Sequence, residues 1–336
     1  MKKVLAILLA LVLVLAFSVP VIADPQEEEV LTSGNITGGS SPPVIKAKWE
    51  LPDDDPLTPG CQIIPPPGTW DPVTGLETEG VNPLVVWAVV RDDEGIGDIM
   101  TVQNEVLEPD GTMKWQEKMT EVTDPEVIEA AKAAAVNSTQ LTQAQADELD
   151  IELSKKEAKI YCYEGQIDTH QPAGMYTAIV YATDFGGETS IKVSNNFEVI
   201  SILAFAIDFD LVDWGPMKPL TKDQVSGSEV MDPMLNAAGL NKNPPTIKNL
   251  GNDPLTLKLK FDPMIGEVQK KVINRFDATF MGYTQDPIMA GSWYTFPTTT
   301  KLERCHATQI DFSVTPGELV TTDIYKGKVY VTVVDP

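Results

Sequence analysis

The sequence predicts an all-β protein made of two β-sandwich domains in tandem, the first carrying a short α-helical insertion. Short segments of alternating apolar and polar residues recur along the chain, separated by turns rich in glycine, proline and aspartate. Long helical patterns are few. The 336 residues exceed the usual size of one sandwich and suit two.

Residues 174–209 predict how the two domains connect. Residues 174–182 alternate as a strand does, residues 184–187 (DFGG) can reverse the chain, and residues 191–199 return as a second strand. Another apolar run, residues 202–209, follows with almost no linker. We therefore expect the last hairpin of the first domain to continue directly into the first strand of the second.

The N-terminus predicts export. Lys2 and Lys3 precede an apolar run over residues 4–22, and Ala23 completes a small-residue cleavage site. Residues 1–23 are therefore assigned to a secretory signal peptide, with an uncleaved anchor as the alternative because the run is close to membrane-spanning length. Residues 24–42 are acidic, then rich in glycine and serine, and predict a flexible arm. We expect a secreted or cell-surface protein that is not inserted in the membrane after cleavage.

The net charge of the chain limits the kinds of partner that we expect it to bind. The chain has 25 lysine and arginine residues against 49 aspartate and glutamate residues, a formal net charge of −24. So acidic a surface repels nucleic acid and anionic membranes, and it favours solubility and cation binding.

The first domain is predicted over residues 43–202. Its seven strands are expected near residues 44, 83, 99, 113, 158, 174 and 188. Residues 52–80 are rich in proline, glycine and aspartate and predict a long loop. Residues 124–153 predict two short helices, with Thr123 or Asp124 and then Thr142 as the capping residues.

The first domain combines three features: seven predicted strands with turns between them, a tyrosine near the start of the sixth strand (Tyr176) and the turn ATDFGG. Over residues 81–199 the sequence resembles the immunoglobulin-like and cadherin-like domains of prokaryotic cell-surface proteins. The resemblance implies that Tyr176 forms a tyrosine corner and that Ala178 stands where antibody domains have their second core cysteine. It concerns fold more than activity.

The second domain is predicted over residues 203–336. Residues 244–261 read as strand, turn and strand and predict a hairpin, and residues 310–314 and 325–333 predict another. The segments KNLGNDPLTLKLKF, DFSVTPG and YKGKVYVTV resemble the sandwich domains of prokaryotic fibre proteins of the TasA and camelysin kind. That resemblance implies a structural or assembly role. The last strand is expected at a sheet edge.

Two acidic loops predict a metal site. In an immunoglobulin-like sandwich the loops that follow the second and sixth strands meet at one end. Clustered carboxylates repel one another unless a cation lies between them, and Ca²⁺ accepts six to eight oxygen ligands. Ca²⁺ is therefore the only cofactor candidate; solvated turn residues on an acidic protein are the alternative. The candidate ligands are Asp92, Asp93, Asp98 and Asp184, with Glu94 and Glu188 as further members.

Three cysteines allow one disulfide in an exported protein. Cys61 and Cys162 fall in the same predicted domain and are expected to pair, which leaves Cys305 unpaired. Cys305 is followed by His306, but adjacent strand residues point to opposite faces, so no joint site is expected. The sequons at Asn35 and Asn137 are candidate glycosylation sites.

No catalytic motif is recognised: HExxH, GxSxG, CxxC, the P-loop and the dinucleotide-binding fingerprint are missing from the sequence. We expect no enzyme and assign no catalytic residue. The predicted function is a structural or adhesive cell-surface protein that associates with other surface proteins or with copies of itself, and with polysaccharide as a further candidate. The alternatives are a carbohydrate- or ligand-binding module that uses exposed tryptophans and, third, a glycoside hydrolase with paired carboxylates.

Overall fold

A computed structural model describes residues 41–58, 60–233, 242–318 and 322–336. The predicted signal peptide, residues 24–40 of the arm and the sequon at Asn35 lie outside these residues. The described chain is all-β, with strands in several sheets and two short helices, which confirms the predicted fold class. Within the described ranges, no helix combines the length and the apolar character needed to cross a membrane.

The first half of the chain, up to residue 199, contains eleven strands and both helices among its described residues. The strands are β1 Val44–Leu51, β2 Cys61–Ile63, β3 Thr69–Asp71, β4 Leu76–Thr78, β5 Val81–Arg91, β6 Ile99–Leu107, β7 Met113–Lys118, β8 Thr120–Glu121, β9 Ala158–Asp168, β10 Gly174–Asp184 and β11 Val193–Val199. The helices, α1 Pro125–Asn137 and α2 Gln143–Ser154, lie between β8 and β9.

Two sheets form the sandwich of the first half. Their strand orders are β1-β5-β9-β8 and β2-β11-β10-β6-β7, and β3 pairs with β4 in a separate two-stranded sheet. Neighbouring strands are antiparallel except β2 and β11, which are parallel. Alternate residues of β5 and β10, such as Val86, Ala88, Val180 and Ala182, meet in one buried cluster between the sheets, as period-2 side-chain alternation requires.

The helices add a third layer. The other face of β5, including Trp87 and Val89, packs with Ala131 and Ala135 of α1. Trp49 of β1 is the register partner of Trp87, and their rings stack with centroids 6.1 Å apart. The first sheet is therefore covered on both faces, which explains why β5 reads as a continuous apolar run.

Local sequence signals place the helices where they were predicted. The Asp124 carboxylate accepts a hydrogen bond from the backbone N–H of Glu126 at 2.9 Å, and Pro125 occupies the first turn of α1. Thr142 and Gln145 form a reciprocal capping box at the start of α2. The predicted helical insertion is confirmed.

The predicted central hairpin is confirmed, except that its return strand begins later than predicted. β10 pairs with β11 from Gly174 opposite Val199, and the buried Tyr176 hydroxyl donates to the Pro172 carbonyl at 2.9 Å, the expected tyrosine corner. The return strand begins at Val193, and Ile191, which was predicted to belong to it, precedes the strand and is 87% exposed.

The predicted long loop over residues 52–80 is not a plain loop, because β2, β3 and β4 lie within it.

The second half contains thirteen strands among the described residues. They are β12 Phe205–Ile207, β13 Asp223–Val225, β14 Thr246–Asn249, β15 Leu255–Phe261, β16 Met264–Gly266, β17 Val272–Ile273, β18 Arg275–Phe280, β19 Tyr283–Met289, β20 Trp293–Thr295, β21 Lys301–Leu302, β22 Ala307–Val314, β23 Tyr325–Lys326 and β24 Val329–Val334.

These strands form a second sandwich with a small added sheet. One sheet has the order β12-β14-β22-β18-β19, with β13 also paired to β22. In the other sheet β15 pairs with β20 and β21 along one edge and with β24 along the opposite edge. Leu257, Leu259 and Phe261 of β15 pack with Phe276 and Phe312 of the facing sheet. A three-stranded sheet, β17-β16-β23, lies beside them.

The two predicted hairpins of the second half are wrong. β14 pairs with β12 and β22, whereas β15 pairs with β20, β21 and β24, so the connection between β14 and β15 crosses from one sheet to the other. The fully buried Asn249 holds this crossing: its Nδ2 donates to the carbonyls of Asp253 (2.8 Å) and Leu302 (3.1 Å). Likewise β22 and β24 belong to different sheets.

The last strand lies at an edge, as predicted. β24 pairs with β15, and the described part of the chain supplies no strand on its other side.

The connection between the halves is hydrogen-bonded. Asn252, 1% exposed, accepts from the N–H of Ile202 at 2.7 Å and donates to the carbonyl of Ile200 at 2.9 Å. The strands on either side, β11 and β12, belong to different sandwiches, as expected for a direct continuation.

Candidate metal site

Three carboxylates meet at one end of the first sandwich. Asp92 follows β5, Asp98 precedes β6 and Asp184 ends β10. The register of β10 against β6 places Asp184 opposite Ile99, beside the start of β6. One carboxylate oxygen of each of the three residues lies within 4.8 Å of the others. The predicted meeting of the two loops is therefore observed.

The burial of this cluster distinguishes it from ordinary surface acids. Asp92 is 4% exposed and Asp184 is fully buried. Asp92 Oδ1 accepts a hydrogen bond from the N–H of Glu94 at 2.9 Å, while Asp92 Oδ2 is buried and receives no hydrogen bond from the described residues. Buried polar atoms are nearly always paired, and an unpaired ionised oxygen is costly. A bound cation would satisfy this oxygen.

The electrostatics agree with the geometry. Burial raises the pKa of Asp92, and the nearby Glu94 and Asp98 carboxylates add to the rise, although the hydrogen bond from the Glu94 N–H opposes it. A divalent cation reverses this effect, because it favours the ionised carboxylate. The cluster therefore has the charge, oxygen chemistry and burial that a Ca²⁺ ion would use.

Backbone hydrogen bonds hold the two loops together. The N–H of Phe185 donates to the carbonyl of Asp98 at 2.9 Å, which links the β10–β11 turn to the β5–β6 loop. Gly95 adopts a φ of +116° between Asp92 and Asp98, a conformation that residues with a side chain rarely adopt. The loop can thus return Asp98 towards Asp92, as the N–H of Asp98 donating to the Gly95 carbonyl shows.

Three predicted members are not among the three clustered carboxylates, although the Glu94 carboxylate lies beside Asp92. The Asp93 side chain is 67% exposed and pairs with Arg91 at 3.3 Å, so this predicted ligand lies at the surface rather than among the clustered carboxylates. Glu94 instead accepts hydrogen bonds from Ser41, from the backbone N–H at 3.1 Å and from the hydroxyl at 2.8 Å. Glu188 is exposed and contributes its N–H to Asp184 Oδ1 at 2.8 Å.

Sequence reasoning missed a second group, Glu79, Asp168 and His170, whose ligand atoms also lie within 4.8 Å of one another. His170 Nδ1 is 3.3 Å from a Glu79 oxygen and 3.5 Å from an Asp168 oxygen. Only Asp168 and His170 are close in sequence, and that spacing was the available signal. Glu79 and His170 are exposed, so water can solvate them and the group defines no site.

The predicted Cys61–Cys162 disulfide does not form. Cys61 belongs to the cluster between the two sheets, whereas Cys162 packs on the helix-covered face of the first sheet. All three cysteines are unpaired, and burial raises the pKa of Cys162 to about 11. Cys305 lies in a turn before β22 with a φ of +62°, rather than on a strand. Its neighbour His306 contacts the Arg304 carbonyl through Nδ1 at 2.9 Å.

Asn137 is exposed at the last residue of α1, where a glycan could be attached. Its use as a glycosylation site stays a prediction.

A groove of about 1230 Å³ lies in the second half. Its walls include Trp214, Phe261 and Tyr330. Two of its carboxylates already have partners: Asp213 Oδ2 accepts from Lys242 Nζ at 2.5 Å, and Asp262 Oδ2 accepts from the Tyr330 hydroxyl at 2.9 Å.

The tryptophans do not form a flat binding platform. Trp49 and Trp87 are buried, and Trp70, Trp115 and Trp214 are half-buried. Trp293 is 46% exposed, and its ring is tilted by 59° from that of Tyr330.

The fold and this cluster define an all-β, multi-sheet protein with a candidate cation site. No protein-family model and no curated protein matches the chain. Among solved structures it is similar to a chaperone–tip adhesin complex of CFA/I fimbriae (8% identity, 89% of this chain and 92% of that chain, TM-score 0.29). It is also similar to the CsuC–CsuE chaperone–tip subunit complex of Acinetobacter baumannii (10% identity, 81% and 96%, TM-score 0.25).

A further similar structure is the C-terminal domain of the antigen I/II polypeptide BspA of Streptococcus agalactiae (11% identity, 87% of this chain and 96% of that chain, TM-score 0.22). The three structures are 8–11% identical to the chain, with TM-scores of 0.22–0.29. They give no support to the resemblance of the second half to fibre proteins of the TasA and camelysin kind.

Proposed function

We propose that the protein is an exported structural or adhesive component of a cell surface whose first sandwich binds Ca²⁺ through Asp92, Asp98 and Asp184. The proposal is supported by the burial of Asp92, a member of the cluster of three carboxylates, one of whose oxygens receives no hydrogen bond from the described residues. Export is supported by the signal-peptide pattern of residues 1–23.

The site lies where the N-terminal arm enters the first sandwich. Ser41 binds Glu94, two residues after Asp92, so the chain leading into β1 is attached to the same loop. A cation that fixes this loop against the β10–β11 turn would stiffen the entry point of the arm. Extracellular calcium modules bind with dissociation constants of about 10⁻⁴–10⁻³ M, so millimolar Ca²⁺ would be sufficient.

The proposed partners are copies of the chain itself or other surface proteins. The exposed edge of β24 presents backbone N–H and C=O groups that accept an added strand. The arm of a second copy, residues 24–42, is the candidate strand. Because this contact is head-to-tail, it extends into a filament unless it closes into a ring. A plain spacer role for the arm is the competing proposal.

A ligand-binding module is the alternative function, with polysaccharide as the candidate ligand. The apolar and aromatic walls of the groove in the second half and the exposed Trp293 favour it. For a glycoside hydrolase, which needs a pair of available carboxylates, two carboxylates of this groove are already bound: Asp213 to Lys242 and Asp262 to Tyr330.

Electron microscopy and sedimentation of the secreted protein, with and without Ca²⁺, test the assembly proposal. We expect particles larger than a monomer, which disappear when residues 24–41 are replaced by a glycine–serine segment of equal length. This replacement keeps the spacing and removes the candidate strand. A monomer under all conditions at high concentration would show that assembly through the arm is wrong.

A further inference from the structure

A second buried charged group lies on the first strand. Lys48 and Glu50 are two residues apart on β1 and therefore share one face of the strand. Both side chains are 1% exposed, and the Lys48 amine contacts Glu50 Oε1 directly. A buried ion pair is weak evidence for stability, because removing both charges from water costs much of the energy gained. The pair therefore calls for another explanation.

A carboxamide on the facing sheet completes the group. Asn195 of β11, the last strand of the first sandwich, donates from Nδ2 to the Lys48 carbonyl at 3.1 Å. The same Nδ2 lies 3.4 Å from Glu50 Oε2. One carboxylate thus contacts an amine through one oxygen and a carboxamide through the other.

The surroundings favour the reactive form of the amine. Burial lowers the pKa of Lys48, although Glu50 opposes this effect. A neutral amine has the free electron pair that a nucleophile needs, and burial is a common way to obtain one.

We propose that Lys48 and Asn195 become joined by an intramolecular amide bond between Nζ and Cγ, with Glu50 as the proton carrier. Nζ attacks Cγ of Asn195 and gives one proton to the Glu50 carboxylate. Glu50 passes that proton to Nδ2, the Cγ–Nδ2 bond breaks and ammonia leaves. Amine and carboxamide become a secondary amide and ammonia, Glu50 ends ionised as it began, and no oxidant or cofactor is consumed.

The bond would connect the first and last strands of the first sandwich. The two positions are 147 residues apart, so the cross-link would close almost the whole domain into one covalent loop. Pulling on either end of the chain could then no longer unzip β1 from the sandwich, which suits a surface protein under load. The bond requires the side chains of Lys48, Glu50 and Asn195 and is independent of Ca²⁺ binding at Asp92, Asp98 and Asp184.

Peptide mapping of the full-length secreted protein by mass spectrometry tests the bond. We expect one branched peptide that contains both Lys48 and Asn195 and is lighter than the sum of its two parts by one ammonia molecule. Glu50→Gln keeps the shape of the side chain but cannot carry the proton, so its peptides should be separate. Asn196→Ala is the matched control, because Asn196 is exposed and should leave the branched peptide intact.

Separate peptides of unchanged mass from folded wild-type protein would overturn the proposal. Loss of ammonia from a linear Asn195 peptide would overturn it as well, because that result means cyclisation of Asn195 alone. The wild-type map does not depend on whether any variant folds. A lower melting temperature of Glu50→Gln accompanied by a branched peptide would also contradict the role given to Glu50.

Discussion

Asp92 follows β5 and Asp184 ends β10, yet one oxygen of each carboxylate lies within 4.8 Å of one oxygen of the other. Asp184 is fully buried and Asp92 nearly so. Two acids held this close out of water repel each other, so the folded state is destabilised there unless a proton or a cation is bound. Predictions about protons and about Ca²⁺ follow from this contact.

Without Ca²⁺, Asp92 should make stability fall as the pH rises. Because burial raises its pKa in the folded state, its contribution is fully present below the unfolded pKa of about 3.9 and is lost as the pH passes the folded value. Asp92→Asn should remove this dependence. Urea unfolding in EDTA between about pH 4 and pH 7 measures it, and equal pH slopes for the variant and the wild type would contradict the prediction.

Tyr176→Phe should destabilise the first sandwich by about 1–2 kcal/mol, because the Pro172 carbonyl loses its partner in a buried corner. Tyr330→Phe is the control: that hydroxyl binds Asp262 at the surface, and its loss should cost less than about 0.5 kcal/mol. Urea denaturation gives both values. Equal losses of stability in the two variants would mean that the buried tyrosine corner stabilises the fold no more than a surface hydrogen bond does.

The cysteines should all be free thiols. Unfolded protein prepared without reductant should react with three equivalents of a thiol reagent, one for each cysteine. In the folded protein Cys61 should be unreactive, since it is 2% exposed and burial raises its pKa. If the unfolded protein reacted with one equivalent only, two of the cysteines would be joined, and the predicted disulfide between Cys61 and Cys162 would stand again.

Asn249→Ala should destabilise the second sandwich by at least about 2 kcal/mol, because it leaves the Asp253 and Leu302 carbonyls without their side-chain donor. Asn196→Ala removes an exposed amide and should cost less than about 0.5 kcal/mol. The difference in denaturation midpoint measures the effect. A small loss for Asn249→Ala would show that other contacts hold the crossing between the sheets.

Sequence patterns predicted the positions of the strands well. They predicted less well which strands pair with each other. Period-2 alternation identified β10 and β15, because each strand has one face towards a core. Alternation does not specify a neighbour. β14 and β15 were therefore joined in a hairpin, although the buried Asn249 directs the chain to the opposite sheet.

The acidic cluster was predictable because fold and sequence agreed on which loops meet. Asp93 was included as well, because sequence alone did not show that its carboxylate would pair with Arg91 instead of lying in the cluster. The cysteine pair failed for a related reason: membership of one domain does not say which face of a sheet a residue occupies. The contact between Lys48, Glu50 and Asn195 needs the packing of two sheets and left no signal in the sequence.

The most direct test of the proposed function is the melting temperature of the full-length protein with millimolar Ca²⁺ and with EDTA. We expect Ca²⁺ to raise the melting temperature of the wild type, because it binds the folded state. Asp92→Asn combined with Asp184→Asn should abolish the rise, whereas Asp93→Asn, outside the cluster, should keep it. An unchanged wild-type melting temperature at neutral pH, or an equal loss of the rise in Asp93→Asn, would contradict the proposed Ca²⁺ site.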